Sequence, residues 1–202
     1  MTLYTPSGSV FTFGNCTLSL TDGVLFGLII GLCLCLSVYR RRSLFQKFCY
    51  LLLYSYVGAL VALTIPLILP AGWDISSQGT ADALNHIQWI PFVSSWEIFK
   101  NCVMIDYYRE FWRLVGGNLL LLAPLGILIP AIHQRFGTLQ MFLTALFTSL
   151  GIEFLQFLGN VLSGSIRRTV EIDDVIFNVI GCMIAFAVYR IVHQAFRGKG
   201  RR

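Results

Sequence analysis

Ser149, Glu153 and Gln156 follow i, i+4, i+7 through an otherwise apolar run, so a helix there carries all three on one face. Asp174, Asn178 and Gly181 repeat that spacing in the last apolar run, and Asn118 stands in a third. The segment leading to Asp174 adds Arg167, Arg168, Glu171 and Asp173. If these runs cross a bilayer, an ionisable side chain within them is costly unless it faces a cavity or a partner. Glu153 then needs a proton, a cation or an arginine, and Arg168 is the nearest arginine in topology. With Arg109 and Arg113, Arg168 could form a basic rim for a phosphate or carboxylate. Catalysis is a second use of the same set. Glu153 could act as a general base, with Asp174 as its catalytic companion. Glu171, Asp173 and Asp174 could hold Mg²⁺ against a diphosphate. No nucleophile–base pair, zinc motif or phosphate loop accompanies them, so the simplest expectation is no cofactor.

A structural reading competes with both. Asp173 and Asp174 open a helix, where the macrodipole favours acidic residues. Asn118, Gln156 and Asn178 could join helices by hydrogen bonds. Random interhelical bonds have no reason to gather at one depth, which favours one shared pocket for Asn118, Ser149, Glu153, Gln156, Arg168, Glu171, Asp173, Asp174 and Asn178.

The elements that must position these residues are membrane helices. The chain has 202 residues, 56 % hydrophobic and 12 % charged, against a charged fraction of about 25 % in soluble domains. Its mean hydropathy is +0.72. Five apolar runs, about 18–39, 48–69, 114–132, 139–158 and 175–192, are each near the roughly 20 residues that cross a bilayer as a helix. The long unbroken runs lack the period-2 alternation of a barrel. The expected fold is therefore all-α, a polytopic helix bundle of about five spans forming one membrane domain. It reads as two N-terminal spans over 1–70, an external segment over 71–113, and three spans over 114–202. Asp22 is expected to cap the first span.

Charge sets the orientation. The net charge of +5 does not point to nucleic acid, because the basic residues flank apolar runs and form no binding face. With the N-terminus outside, the inner segments hold Arg40, Arg41, Arg42, Lys47, Arg135, Arg190, Arg197, Lys199, Arg201 and Arg202. The outer segments hold Lys100, Arg109, Arg113, Arg167 and Arg168, and every acidic residue of the chain falls on the outer side or in the outer part of a helix. Residues 1–21 carry no Lys or Arg, so the first run reads as a span that stays in the membrane. The six cysteines show no metal spacing and read as small apolar residues. Cys16 and Cys102 alone fall in external segments, where a disulfide between them is conceivable.

Residues 70–113 are too many for a plain connection and contain all four tryptophans, Trp73, Trp89, Trp96 and Trp112. Tryptophan favours the headgroup level. Ser94 and Glu97 have capping-box spacing, and Phe92, Trp96 and Phe99 follow i, i+4, i+7. An interfacial amphipathic helix is expected there. The alternative is a loop packed over the helix ends.

Asn118, Pro124-Leu125-Gly126, Ser149, Glu153, Gln156, Arg168, Glu171-Ile172-Asp173-Asp174, Asn178 and Gly181 together resemble the VanZ-like family of bacterial membrane proteins. Asn85 and Pro91 resemble its upstream Asn/Pro element, so the likeness covers about residues 85–190. The family commonly has Asp where this chain has Glu171. The family is named for a protein associated with low-level resistance to the glycopeptide teicoplanin. The resemblance implies a cell-envelope role in the bacterial cytoplasmic membrane and supplies no reaction. Three functions fit it. One is binding of an amphiphile, a lipid-linked cell-wall precursor or a lipoglycopeptide, beside the membrane lipids. Another is a membrane enzyme acting on a lipid-linked or isoprenoid-diphosphate substrate. The third is a small lipid transporter.

Overall fold

The computed structural model describes residues 2–4, 10–12, 19–64, 77–163 and 169–199. Arg167, Arg168, Trp73 and Cys16 lie outside them, and so do the expected roles of Arg168 and the Cys16–Cys102 pairing. A short antiparallel pair, β1 (Thr2–Tyr4) and β2 (Val10–Thr12), precedes the helices.

The first helix, α1, spans Leu20–Leu36. Ser19 is its N-cap, and Asp22 completes a capping box three residues in. Ser19 Oγ accepts from the Asp22 N–H at 3.1 Å, and Asp22 Oδ2 accepts from the Ser19 N–H at 3.2 Å. Asp22 thus supports the cap rather than being it, because a β-conformation at Ser19 places the shorter hydroxyl over the first turn. A tight turn leads to α2 (Leu44–Thr64). The two helices run antiparallel along Gly23, Gly27 and Gly31, which meet Gly58, Tyr54 and Leu51. A Cβ at Gly27 would overlap the Tyr54 carbonyl oxygen. Small residues every fourth position let the backbones close and gain dispersion contact, the main attraction available between helices in lipid.

Beyond α2 the described chain resumes with α3 (Ser77–Asn85), β3 (Ile87–Gln88) and α4 (Val93–Ile105). The third span is α5 (Arg109–Leu121) followed by α6 (Ala123–Ile132). Pro124 lacks the N–H that would continue the ladder. Leu125 N bonds Leu122 O at 3.1 Å, one residue short of the α-helical pattern. The carbonyl of Leu121, released from the ladder, accepts the Tyr56 hydroxyl of α2 at 2.5 Å. The last two spans are α7 (Thr138–Ser163) and α8 (Ile172–Lys199), with β4 (Val170–Glu171) leading into α8.

Four helical stretches, Leu44–Thr64, Arg109–Ile132, Thr138–Leu162 and Ile172–Phe196, are long and apolar enough to cross a membrane, and Leu20–Leu36 is a shorter apolar helix. The protein is an all-α, multi-pass membrane bundle. The side-chain contacts set helix directions. Asn118 meets Asp174 and Tyr189 meets Pro130, so α5–α6 and α8 are parallel. Ser149 meets Asn178 and Glu153 meets the residue before α8, so α7 is antiparallel to α8. The core lies among α2, α6, α7 and α8 around Leu60, Leu122, Leu125, Met141, Ala145, Val179, Cys182 and Phe186. One face of the bundle therefore gathers the start of α1, the end of α2, α3, α4, β3, β4 and the start of α8. The opposite face gathers Arg40, Arg41, Arg42, Lys47, Arg135 and Arg190.

Within the long segment a helix forms over Val93–Ile105, but the Ser94–Glu97 capping box does not. Phe92 is the N-cap, in the left-handed conformation at φ 65°, with no side-chain cap of its own. Phe92 also leaves the expected apolar face. Its ring packs on Phe177 of α8, while Trp96 and Phe99 stack on each other.

Candidate functional site

The beginning of α8 organises the polar residues. Val170 and Glu171 pair in parallel with Ile87 and Gln88, which ties the long segment between α2 and α5 to the root of α8. Asp173, one residue into α8, is 1 % exposed. Its Oδ1 accepts the Phe92 N–H at 2.6 Å, and its Oδ2 accepts the Ser95 N–H at 3.3 Å and the Ser95 hydroxyl at 2.5 Å. The first N–H groups of α4 have no carbonyl partner within their helix. Asp173 supplies the missing acceptor from another helix. The same bonds hold Phe92 in a backbone conformation that costs a non-glycine residue about 1–2 kcal/mol. Sequence spacing pointed to Ser94 as this cap. Ser94 instead lies close enough to Glu171 for its hydroxyl to favour the charged carboxylate, because β4 brings Glu171 alongside the first turn of α4.

Asp174 faces the other way. It accepts from Asn118 Nδ2 on α5. That bond requires α5 and α8 to lie close, which Gly181 allows: a Cβ there would overlap the Leu119 carbonyl oxygen. Asn118 and Asp174 line a cleft of about 580 Å³ with Ile98, Glu110, Arg113, Leu114, Thr169 and Glu171. Arg113 bonds Glu110 at 2.7 Å, and both side chains are largely exposed.

Glu153 is buried on α7, and its Oε2 accepts the Glu171 N–H at 3.3 Å. It lines a second cavity, an apolar groove of about 350 Å³. The groove walls include Leu84, Trp89, Leu150, Phe154, Phe157 and Val175. Glu171 lines both cavities. Its Oε2 is buried without a hydrogen-bond partner among the described residues. Burial pushes the Glu171 carboxyl above the usual carboxylate range. The Ser94 hydroxyl opposes this, and the nearby Asp173 charge adds to it.

The remaining predicted residues are buried between helices and line neither cavity. Asn178 Nδ2 donates to Ser149 Oγ at 3.0 Å, and Gln156 Nε2 donates to the Thr64 carbonyl at 3.1 Å. Asn178 Oδ1 and Gln156 Oε1 are buried without a partner among the described residues. Most buried polar groups find one, so these two oxygens suit ordered water.

The structure thus distributes the described predicted residues over four places instead of one pocket. Asn118, Glu171 and Asp174 border the polar cleft, and Glu153 and Glu171 the groove. Ser149, Gln156 and Asn178 join α2, α7 and α8 by hydrogen bonds, and Asp173 caps α4. Among the described residues, no group of three His, Cys, Asp or Glu is placed to hold a metal ion. Glu171, Asp173 and Asp174 do not converge as a Mg²⁺ site requires, since successive residues at a helix start point in different directions. Sequence reasoning missed the groove. Leu150, Phe154 and Phe157 repeat i, i+4, i+7 one residue beyond the polar stripe, but apolar residues in a span read as lipid-facing.

Neither the curated proteins nor the solved structures contain a match to this chain. The family model described as VanZ/LLP1 matches residues 53–193. That range reaches upstream of Asn85 into α2, and includes every element that lines the cleft and the groove. The chain belongs to the VanZ/LLP1 family.

Proposed function

We propose that this protein binds an amphiphile at the carboxylate-bearing face of the bundle. That face is the outer one in a bacterial cytoplasmic membrane, with the N-terminus outside and the C-terminus inside. The observation that carries this reading is the meeting of a polar cleft and an apolar groove at Glu171. The cleft offers Arg113 to an anionic headgroup and Asn118, Thr169 and Asp174 to hydroxyls and amides. The groove suits one acyl or isoprenoid chain, whose burial against Leu84, Phe154 and Phe157 contributes favourable apolar contact. The ligand class is a lipid-linked cell-wall precursor or the acyl tail of a lipoglycopeptide, in keeping with the family's association with teicoplanin.

The test is antibiotic sensitivity of a host with and without the protein. The expected outcome is a raised inhibitory concentration for teicoplanin with little change for vancomycin, which lacks the long acyl tail. Equal protection against both overturns tail recognition. A second reading, a membrane enzyme on a lipid-linked substrate, is favoured by one observation. Glu171 combines a buried, unpartnered oxygen with a carboxyl pushed toward neutrality at the junction of the cavities, which suits a general acid. It requires Glu171→Gln to abolish the phenotype while a co-purifying lipid, read by native mass spectrometry, is still bound.

A further inference from the structure

The opposite face of the bundle carries a smaller cavity of about 240 Å³. It lies between the end of α6 and the last turns of α8, and is lined by Gln134, Tyr189, Arg190, His193 and Gln194. We infer that it is a binding site for the phosphodiester headgroup of an anionic phospholipid.

Three observations carry this. First, the donors are held in place. The Arg190 guanidinium lies 5.8 Å from the centre of the Phe186 ring, and the His193 ring stacks on Tyr189 with centroids 5.6 Å apart. Phe186 is a buried core residue, so the ring that supports Arg190 is itself immobile. A guanidinium held over an aromatic ring by its charge still has N–H groups to offer two phosphate oxygens. Second, the gap is built into the packing. Tyr189 donates its hydroxyl to the Pro130 carbonyl at 3.2 Å, one of the terminal carbonyls of α6. This bond pins α8 to α6 at the edge of the cavity. Arg190, His193 and Gln194 then face the cavity together at i, i+3, i+4, opposite Gln134.

Third, no described residue supplies this site with an anion. No described carboxylate lies at this face. The nearest on the same helix, Asp174, is about 24 Å away at 1.5 Å per residue, and Glu153 on α7 stands about 22 Å from that helix's start. Arg40, Arg41, Arg42, Lys47 and Arg135 share the face, so its field is positive throughout. The anion such a site meets at a bilayer surface is a lipid phosphate.

The experiment is native mass spectrometry of the full-length protein released from nanodiscs of equal phosphatidylglycerol and phosphatidylcholine. Wild type is expected to retain phosphatidylglycerol in preference to phosphatidylcholine. Arg190→Gln should lower that retention about tenfold, the loss of one charge-assisted pair. Gln134→Leu changes a loop residue outside the packed core and should lower it in a chain whose fold is not in question. Arg190→Lys keeps the charge without the fork and should fall between. Equal retention of the two lipids overturns the proposal, as does unchanged retention in both Arg190→Gln and Gln134→Leu. Displacement of the lipid by millimolar inorganic phosphate would also overturn it, by reassigning the site to a free anion.

Discussion

Asp173 shows how one side chain can join two elements that are far apart in sequence. Its carboxylate ends the hydrogen-bond deficit of α4 and holds Phe92 in a left-handed conformation. Asp173→Asn keeps the shape but removes the charge that accepts two N–H groups and a hydroxyl. It is expected to destabilise the fold by roughly 1–3 kcal/mol and to raise hydrogen exchange selectively at 93–96. Glu97→Ala, at the position where spacing alone predicted a capping partner, should change stability by less than about 0.5 kcal/mol. Thermal unfolding in detergent and amide exchange read both outcomes. Glu171 makes a pH prediction. Burial raises its carboxyl in the folded state, so the folded protein penalises the charged form. Below the usual carboxylate range the group is protonated in both states and the penalty is absent. As pH rises out of that range the unfolded chain ionises first, and stability falls until the folded carboxyl ionises too. Glu171→Gln removes this loss. Its melting temperature relative to wild type should therefore increase from acid toward neutral pH, and a constant difference would refute the assignment.

At the scale of the helices, glycine decides which pairs touch. Gly126 and Gly181 face the Cys182 and Leu119 carbonyl oxygens, so α5–α6 and α8 lie backbone to backbone. The Asn118–Asp174 bond depends on that approach. Gly181→Ala is expected to force the helices apart, cost about 1–3 kcal/mol as overpacking, and weaken retention of the proposed amphiphile with it. Gly151 has nothing within 4 Å of a built Cβ. Gly151→Ala should be neutral or stabilising by up to about 1 kcal/mol, because alanine is the better helix former. Two helix glycines with opposite outcomes separate close packing from helix propensity, and thermal unfolding distinguishes them.

At the scale of the whole molecule, the described carboxylates gather at one end of the helices, and Arg40, Arg41, Arg42, Arg135 and Arg190 at the other, while Arg109 and Arg113 stay with the carboxylates. The proposed amphiphile site and the inferred anionic-lipid site would then lie on the two sides of one bilayer. Positive charge favours the cytosolic side. Asp106→Cys, at the left-handed C-cap of α4, should be labelled by a membrane-impermeant maleimide in intact cells. Arg135→Cys, exposed between α6 and α7, should be labelled only after permeabilisation. The reverse pattern would invert the topology and move the cleft and groove to the cytosol.

Much of this architecture was legible from residue types. Apolar runs near 20 residues determine helices, since a backbone in lipid must satisfy its own hydrogen bonds. The spacing Ser149–Glu153–Gln156 determines one polar face of α7, whereas the break at Leu122, which Pro124 could have announced, falls inside the run 114–132 expected as one continuous span. The stripe Gly23–Gly27–Gly31 could also have been read as a packing seam. Tertiary structure alone decided what each polar residue meets. Asp173 and Asp174 are neighbours in sequence, yet one caps α4 and the other joins α5 beside the cleft. A helix turns about 100° per residue, so adjacent side chains enter different surroundings. Only the placement of α4, α5 and β3 around the root of α8 determines which surroundings those are.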